Sequence, residues 1–211
     1  MEKGDLIVIS GPSGVGKGTI IKELLQKRSD IGLSVSYTTR QIREGEENGK
    51  NYYYVSEQEF IDKIQNDDFI EWNHLFRYYY GTPLKETLKM IEDGKKVLFE
   101  IDVVGGLNIK KRFPDATLIF ILPPTANALS ERMDKRGSET EEQKRIRRSR
   151  AAEEYNMSLE YDYAIVNDDL MNAVNAVEEI IKNEENKQIS EKAKISEFKK
   201  YIEELIIAEL K

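Results

Sequence analysis

The sequence predicts an α/β fold built on a mostly parallel sheet, and three observations carry that expectation. Short, almost wholly apolar runs recur at residues 6–9, 97–102, 117–122 and 163–166, with helical stretches between them. Strands that are apolar on both faces belong in a covered sheet, and strand–helix alternation makes that sheet parallel. A glycine-rich turn follows the first run directly. Residues 34–82 then break the rhythm with a stretch rich in Tyr, Thr, Phe and Trp.

The chain has 211 residues, 32 Lys+Arg against 39 Asp+Glu, a net charge of −7, one His and no Cys. At roughly 100–200 residues per domain this is one domain with inserted subdomains. Without cysteine, disulfides, thiol nucleophiles and Cys-type zinc sites are excluded, and a single His74 excludes multi-His metal sites. The acidic balance weighs against a nucleic-acid binder, whose affinity comes from neutralising phosphates. The longest apolar run, 118–122, is far short of the roughly 18 residues that a membrane span requires. The charged start lacks the apolar core of a secretory signal, so the expected location is the cytoplasm.

After the first strand, a helix is predicted over 19–28, with Ile20, Ile21, Leu24 and Leu25 on one face. The 34–82 segment reads as a small, largely antiparallel β element carrying a helix at 57–65, which opens with a capping box, Ser56 and Glu59. The next helix has Thr82 as its cap and Pro83 in its first turn, and it stops at Gly94. Residues 125–158 are so charged that a projecting helical arm is expected, with Arg145, Arg148 and Arg150 solvated. The tail, about 190–211, is a separate amphipathic helix with Ile195, Phe198, Ile202, Leu205, Ile206 and Leu210 at helical spacing, expected to dock on the core.

Gly11-Pro12-Ser13-Gly14-Val15-Gly16-Lys17-Gly18-Thr19 lies between a buried strand and a helix, the context that gives a P-loop its meaning. Its glycines let backbone N–H groups converge on a polyphosphate such as that of ATP. The helix directs its positive end there, and Lys17 adds a charge near the β- and γ-phosphates. Gly18 stands where a Ser or Thr hydroxyl usually ligates Mg²⁺, so a magnesium ion would be held by phosphates and water, with no direct protein ligand. That departure argues for a small-molecule kinase over a GTPase or motor, which depends on the ligand for its switch.

Beyond the loop come Ser34-Val35-Ser36-Tyr37-Thr38-Thr39-Arg40-Gln41-Ile42-Arg43, Gly45-Glu46, Gly49-Lys50-Asn51-Tyr52, Phe69-Ile70-Glu71-Trp72 and Tyr79-Tyr80-Gly81-Thr82-Pro83. Then follow Glu100-Ile101-Asp102, Arg136-Gly137-Ser138-Glu139-Thr140-Glu141-Glu142 and Ile165-Val166-Asn167-Asp168. In this order and spacing, from about residue 4 to 183, the chain closely resembles the guanylate kinases, P-loop nucleoside monophosphate kinases that transfer the γ-phosphoryl of ATP to GMP. The resemblance implies a three-layer P-loop NTPase core with a mostly parallel five-stranded sheet. It divides the chain into a kinase-like domain over 1–183, with a nucleoside-monophosphate-binding insertion at about 34–82 and a helical lid at about 125–158, and a helical extension over 184–211.

It further implies that Arg40, Arg43, Tyr52 and Tyr80 grip the GMP phosphate, that Ser36, Glu71, Gly81 and Thr82 face the guanine, and that Asn167 joins residues 11–19 at ATP. Arg132, Arg136 and Arg147 match the arginines that close over the phosphates, and the implied substrates are ATP-Mg²⁺ with GMP and dGMP. The residues support this independently. Two arginines three apart in an extended segment can converge on one phosphate through bidentate bonds. A carboxylate such as Glu71 can accept both the N1–H and the 2-amino group of guanine, whereas adenine would present it with a lone pair. Asp102 ends an apolar strand, where a carboxylate needs a partner and where ligands bind, so it is expected either to orient magnesium waters or to contact nucleotide.

Two departures from the family pattern stand out, Glu100 for an Asp and Ile42 for a Pro. Phosphoryl transfer is mostly positioning and charge neutralisation, so no general base is required and His74 is expected to be structural or exposed. Two other readings compete: a monophosphate kinase for another base, and a non-enzymatic module that binds phosphopeptides in the acceptor cleft. Monomer and homo-oligomer are equally compatible with the sequence.

Overall fold

The computed structural model describes residues 6–75, 77–134, 141–185 and 191–210. In chain order the elements are β1 (Leu6–Ser10), α1 (Lys17–Lys27), β2 (Ile31–Ser34), β3 (Tyr37–Thr38), β4 (Tyr53–Tyr54), α2 (Glu57–Gln65), β5 (Phe69–Leu75) and β6 (Tyr78–Pro83). They continue with α3 (Leu84–Glu92), β7 (Lys96–Glu100), α4 (Val103–Arg112), β8 (Thr117–Leu122), α5 (Ala126–Asp134), α6 (Glu141–Ser158), β9 (Tyr163–Val166) and α7 (Leu170–Glu185). Two short 3₁₀ turns lead into α8 (Lys199–Glu209).

The five apolar strands β2-β7-β1-β8-β9 pair in parallel in that order. Strand β1 is buried along its whole length, and so is β8. The chain moves one way along the sheet from β1 to β2 and the other way from β7 to β8 and β9. Right-handed crossovers therefore put α1 on one face and α4, α5 and α6 on the other, and the packing agrees: α1 lies against α7, α4 against α6. The mostly parallel, five-stranded core expected from the sequence is the one observed.

The second sheet runs β4-β3-β6-β5, with antiparallel β3–β6 and β5–β6 pairs and one parallel pair, β3–β4. Its helix α2 starts at the predicted residue. Ser56 accepts from the Glu59 N–H while the Glu59 carboxylate accepts from the Ser56 N–H. At the next helix the expectation fails by one residue. Thr82 belongs to β6 and its hydroxyl donates to Glu71 Oε1 at 2.6 Å, so Pro83 takes the N-cap position. The carboxylate on the neighbouring strand outcompetes the helix end for the hydroxyl.

The charged 125–158 stretch is also less solvated than its composition suggests. Charge is densest in the first half of α6; the second half buries Ala151, Ala152, Tyr155 and Ser158. Helix α8 packs on that half, burying Ile202 and Leu205, while Leu210 stays 67 % exposed. Tyr201 Oη hydrogen-bonds the carbonyls of Pro123 and Pro124, both at 2.7 Å, which ties α8 to the start of the charged stretch.

Helix α4 lies so close to the 158–163 turn that a Cβ on Gly106 would come within 2.0 Å of Tyr161 Oη. That hydroxyl is held by Ser10 Oγ at 2.8 Å and is buried. Alanine would gain about 1 kcal/mol of helix propensity, less than the cost of forcing a fixed tyrosine aside. Gly106→Ala is expected to destabilise the fold by about 1–3 kcal/mol, read as a lower midpoint in urea unfolding.

Candidate active site

Helices and loops that leave the carboxyl ends of β1, β7 and β8 form one cleft, on the side where strand order reverses around β1. Two adjoining cavities of about 380 and about 710 Å³ fill it and share Ser13, Lys17, Ser36, Arg43, Tyr52 and Glu100. Each falls within the roughly 300–1,000 Å³ of ordinary small-molecule sites.

The glycine loop forms one wall. Gly11 and Gly16 have φ of 151° and 103°, and a Cβ there would meet Ile121 O at 2.6 Å and Asn167 Nδ2 at 2.5 Å. Both positions require glycine for conformation and for space. Lys17 Nζ donates to Gly11 O at 2.6 Å, which folds it across the mouth of the loop. Thr19, Ser13 and Gly14 line the larger cavity, whereas the Val15 side chain is fully buried, its N–H donates to Pro12 O at 3.2 Å and its carbonyl is engaged. That carbonyl accepts from Asn167 Nδ2 at 2.8 Å and from Arg132 at 3.2 Å, and Arg132 also donates to Asn167 O at 3.1 Å. Arg132 thus braces the loop against the end of β9.

The second sheet forms the opposite wall. Arg40 is 8 % exposed and lies in a fork with Glu46: Nη1 donates to Oε2 at 3.0 Å and Nη2 to Oε1 at 2.8 Å. Burial opposes the guanidinium's charge, but the hydrogen bonds and charge of Glu46 outweigh it and hold Arg40 above its ordinary pKa. Arg40 holds Glu46 down, at about 2. The guanidinium sits 5.4 Å from the Tyr52 ring centre and 5.7 Å from that of Tyr54. Tyr52 packs edge-on to Tyr80, and burial pushes its phenol up, so it stays a donor.

Deeper in the cleft, Glu71 is 8 % exposed. Burial raises its carboxyl to about 7; Thr82 lowers it and nearby Asp102 raises it. Glycine at 105 is what admits this carboxylate, because a Cβ there would stand 2.9 Å from Glu71 Oε2. Gly81 faces away from the cleft, against Phe60 and Phe69, where a Cβ would sit at 2.8 and 2.9 Å, so its part is packing. Asp102 lines the cleft, yet its Oδ1 caps α4 by accepting from the N–H groups of Val104 and Gly105, and it takes Asn73 Nδ2 at 3.2 Å as well. The partner that sequence reasoning sought for this carboxylate is the end of its own helix.

Glu100 faces the loop: a Cβ on Gly18 would lie 3.8 Å from both its oxygens. Burial raises it, against the pull of Lys17. Arg150, expected to be solvated, lines both the cleft and a neighbouring cavity and donates to Glu154 Oε1 at 2.9 Å. Glu154, Glu46 and Arg150 are the cleft residues that pattern reading passed over. An acidic residue beside paired arginines, as in Arg43-Glu44-Gly45-Glu46, was the available signal for Glu46. Arg136 lies outside the described residues, as does the side chain of Arg147. His74 is exposed and stacks obliquely on Tyr79.

The hydroxyl of Thr82 stabilises the ionised form of Glu71. Thr82→Val is expected to raise the Glu71 carboxyl above about 7, measured by carboxyl-carbon NMR titration; an unchanged or lower value would contradict the geometry.

The model of the guanylate kinase family matches residues 3–184. A guanylate kinase from Caldanaerobacter subterraneus subsp. tengcongensis is 49 % identical over 180 residues, covering 85 % of this chain and 87 % of the relative. One from Clostridium acetobutylicum is 44 % identical over 198 residues, covering 94 % and 91 %. The crystal structure of a guanylate kinase from Anaplasma phagocytophilum superposes with a TM-score of 0.71 at 32 % identity, covering 85 % of each chain. The chain that carries this glycine loop, paired-arginine wall and buried carboxylate therefore belongs to the guanylate kinase family.

Proposed function

We propose that this chain transfers the γ-phosphoryl group of ATP to GMP, and to dGMP, giving ADP and the corresponding diphosphate in the recycling of guanine nucleotides in the cytoplasm. The observation that carries the proposal is the apposition, across one cleft, of a P-loop bearing Lys17 and a wall of two arginines and two tyrosines with a buried carboxylate beneath it. Loop amides from Gly11 to Thr19 and Lys17 hold the ATP phosphates, with Asn167 and Arg132 fixing the loop's shape. Arg40, Arg43, Tyr52 and Tyr80 hold the GMP phosphate. Glu71 accepts from N1–H and the 2-amino group of guanine. Since the Thr82 hydroxyl is engaged in orienting Glu71, Ser36, buried on the shared wall, is the donor for O6.

The donor set fits magnesium held through water. Gly18 offers no hydroxyl, and Glu100 is the carboxylate that looks onto the loop. Glu100 would accept from waters on the ion, with Asp102 at the periphery because its Oδ1 caps α4. The ion supplies neutralisation of charge on the β- and γ-phosphates. A GMP phosphate oxygen attacks Pγ in line, the bond to the ADP oxygen breaks, and no proton need be removed. Arg136 and Arg147 stabilise the charge on the transferred group once the 125–158 lid closes and excludes water.

ADP production with ATP-Mg²⁺ and a panel of GMP, dGMP, AMP, UMP, CMP and dTMP is expected to show turnover with the two guanine nucleotides. Preference for AMP would reverse the base assignment, and no turnover at all would favour a binding module. Guanine takes the ionised form of Glu71, whose folded-state pKa is raised to about 7. Ionisation of Glu71 should therefore lower the KM for GMP by up to about tenfold per pH unit up to about pH 7, with no further fall above, on top of any effect of the GMP phosphate's own titration. Glu71→Gln should weaken GMP and abolish that portion of the profile, leaving only the titration of the GMP phosphate near about 6. Arg136→Ala should lower kcat by about 10²–10³-fold, far more than it changes the KM for GMP; unchanged turnover in steady-state kinetics would remove it from the active set.

A further inference from the structure

Glu46 poses an electrostatic problem. A pocket for a phosphate dianion should exclude carboxylates, yet Glu46 stands on the same wall as Arg40 and Arg43 and cancels the charge of one of them. Its placement is fixed from three directions. Besides the two-pronged bond from Arg40, it accepts from the Arg43 N–H at 2.8 Å and from Tyr54 Oη at 2.8 Å, all to a side chain only 19 % exposed. Arg40 Nη1 also donates to Gln41 O at 2.8 Å. With the Tyr52 and Tyr54 rings close by, these contacts fix the plane of the guanidinium, which an arginine side chain with four rotatable bonds cannot do alone.

We infer that Glu46 is a positioning residue for the acceptor phosphate: it holds Arg40 in one orientation and couples it to the Arg43 backbone, so that both arginines reach the phosphate from a preset geometry. The inference deepens the proposed function and rests on that reading of the acceptor wall. Because Glu46 is held at about 2, it stays ionised across any assay range, and its effect carries no pH dependence, unlike that of Glu71.

The sign of one measurement separates positioning from simple charge. Removing a carboxylate beside a phosphate site should tighten phosphate binding by Coulomb's law; removing a positioning group should weaken it. Steady-state kinetics would be run on the full chain, Glu46→Gln, Arg40→Ala, the double variant and Tyr54→Phe, with thermal unfolding of each. Glu46→Gln is expected to raise the KM for GMP about 10- to 100-fold with the KM for ATP unchanged, and Tyr54→Phe to raise it less. The double variant should be worse than Arg40→Ala by much less than the factor that Glu46→Gln costs alone, since Glu46 acts mainly through Arg40 and only its hold on the Arg43 N–H remains to be lost. A KM for GMP that is unchanged or lower in Glu46→Gln, or effects that multiply in the double variant, would overturn the inference while leaving the acceptor site standing. An unchanged KM in Arg40→Ala would instead bring down the reading of the acceptor wall, and this inference with it.

Discussion

Parallel pairing of β1 between β7 and β8 is the constraint on which the rest depends. Because every pair in the large sheet is parallel, the carboxyl ends of its strands open on one edge, and each delivers something different there. Strand β1 delivers the glycine loop, β7 delivers Glu100 and Asp102, and β9 delivers Asn167. The chain moves outward from β1 in both directions, so no crossover helix covers the loop. Register completes the arrangement: Ile9 pairs with Glu100, and Gly11 follows close enough to Ile121 O that no side chain fits between them. A slip of one residue in β1 would turn its buried residues over and withdraw the loop from Asn167 and Arg132.

What was legible in the sequence follows from how local its cause is. The P-loop, the β1–α1 unit and the α2 capping box are set by residues within a few positions of one another, and each stands where periodicity and cap chemistry put it. Thr82 was misassigned because its hydroxyl, which as a cap would accept from helix N–H groups, donates instead to a carboxylate eleven residues away on β5. Arg150 was misassigned because charge density along α6 suggested a solvated arm, whereas Arg150 faces the cleft beside Asp102 and Glu154, and that exposure depends on what lies across the cleft. Asp102 was singled out correctly as needing a partner, yet the partner is the start of α4, a use that helix capping rules would have offered from Asp102-Val103-Val104-Gly105. Family motifs placed Ser36, Arg43, Tyr52, Glu71 and Tyr80 on one cleft without any such geometry, because motif spacing already encodes the long-range contacts that local physics does not.

An anion-binding cleft lined with five carboxylates is a contradiction only until each is matched to its environment; Asp102 is taken up in capping α4. Glu71, Glu100 and Glu154 are pushed up by burial, and they sit where an accepting oxygen is useful near neutrality: at a base edge, at the loop, and behind Arg150. Glu46 alone is driven down, because Arg40, the Arg43 N–H and Tyr54 all donate to it. Glu71, raised to about 7, is the one that carries pH sensitivity near neutrality. Glu46 carries none; its contribution is geometry. A single cleft therefore contains carboxylates of opposite electrostatic character, and the difference is set by the number of donors each one faces.

This division also explains how a chain of net charge −7 can accommodate two phosphorylated substrates. At physiological ionic strength charges beyond about 8 Å are largely screened where solvent intervenes, so the acidic exterior contributes little inside the cleft. What a phosphate meets there is local: Lys17 against the loop carbonyls on one side, Arg43 and a tyrosine-flanked Arg40 on the other. Cancelling Arg40 with Glu46 would be wasteful if attraction were the limiting requirement. Two phosphorylated ligands repel each other at bonding distance, however, and attraction alone would let each settle wherever its own field is strongest. Aligning an acceptor oxygen with Pγ demands cations fixed in direction as well as in number, and a carboxylate that gives up net charge to fix a guanidinium plane serves that demand.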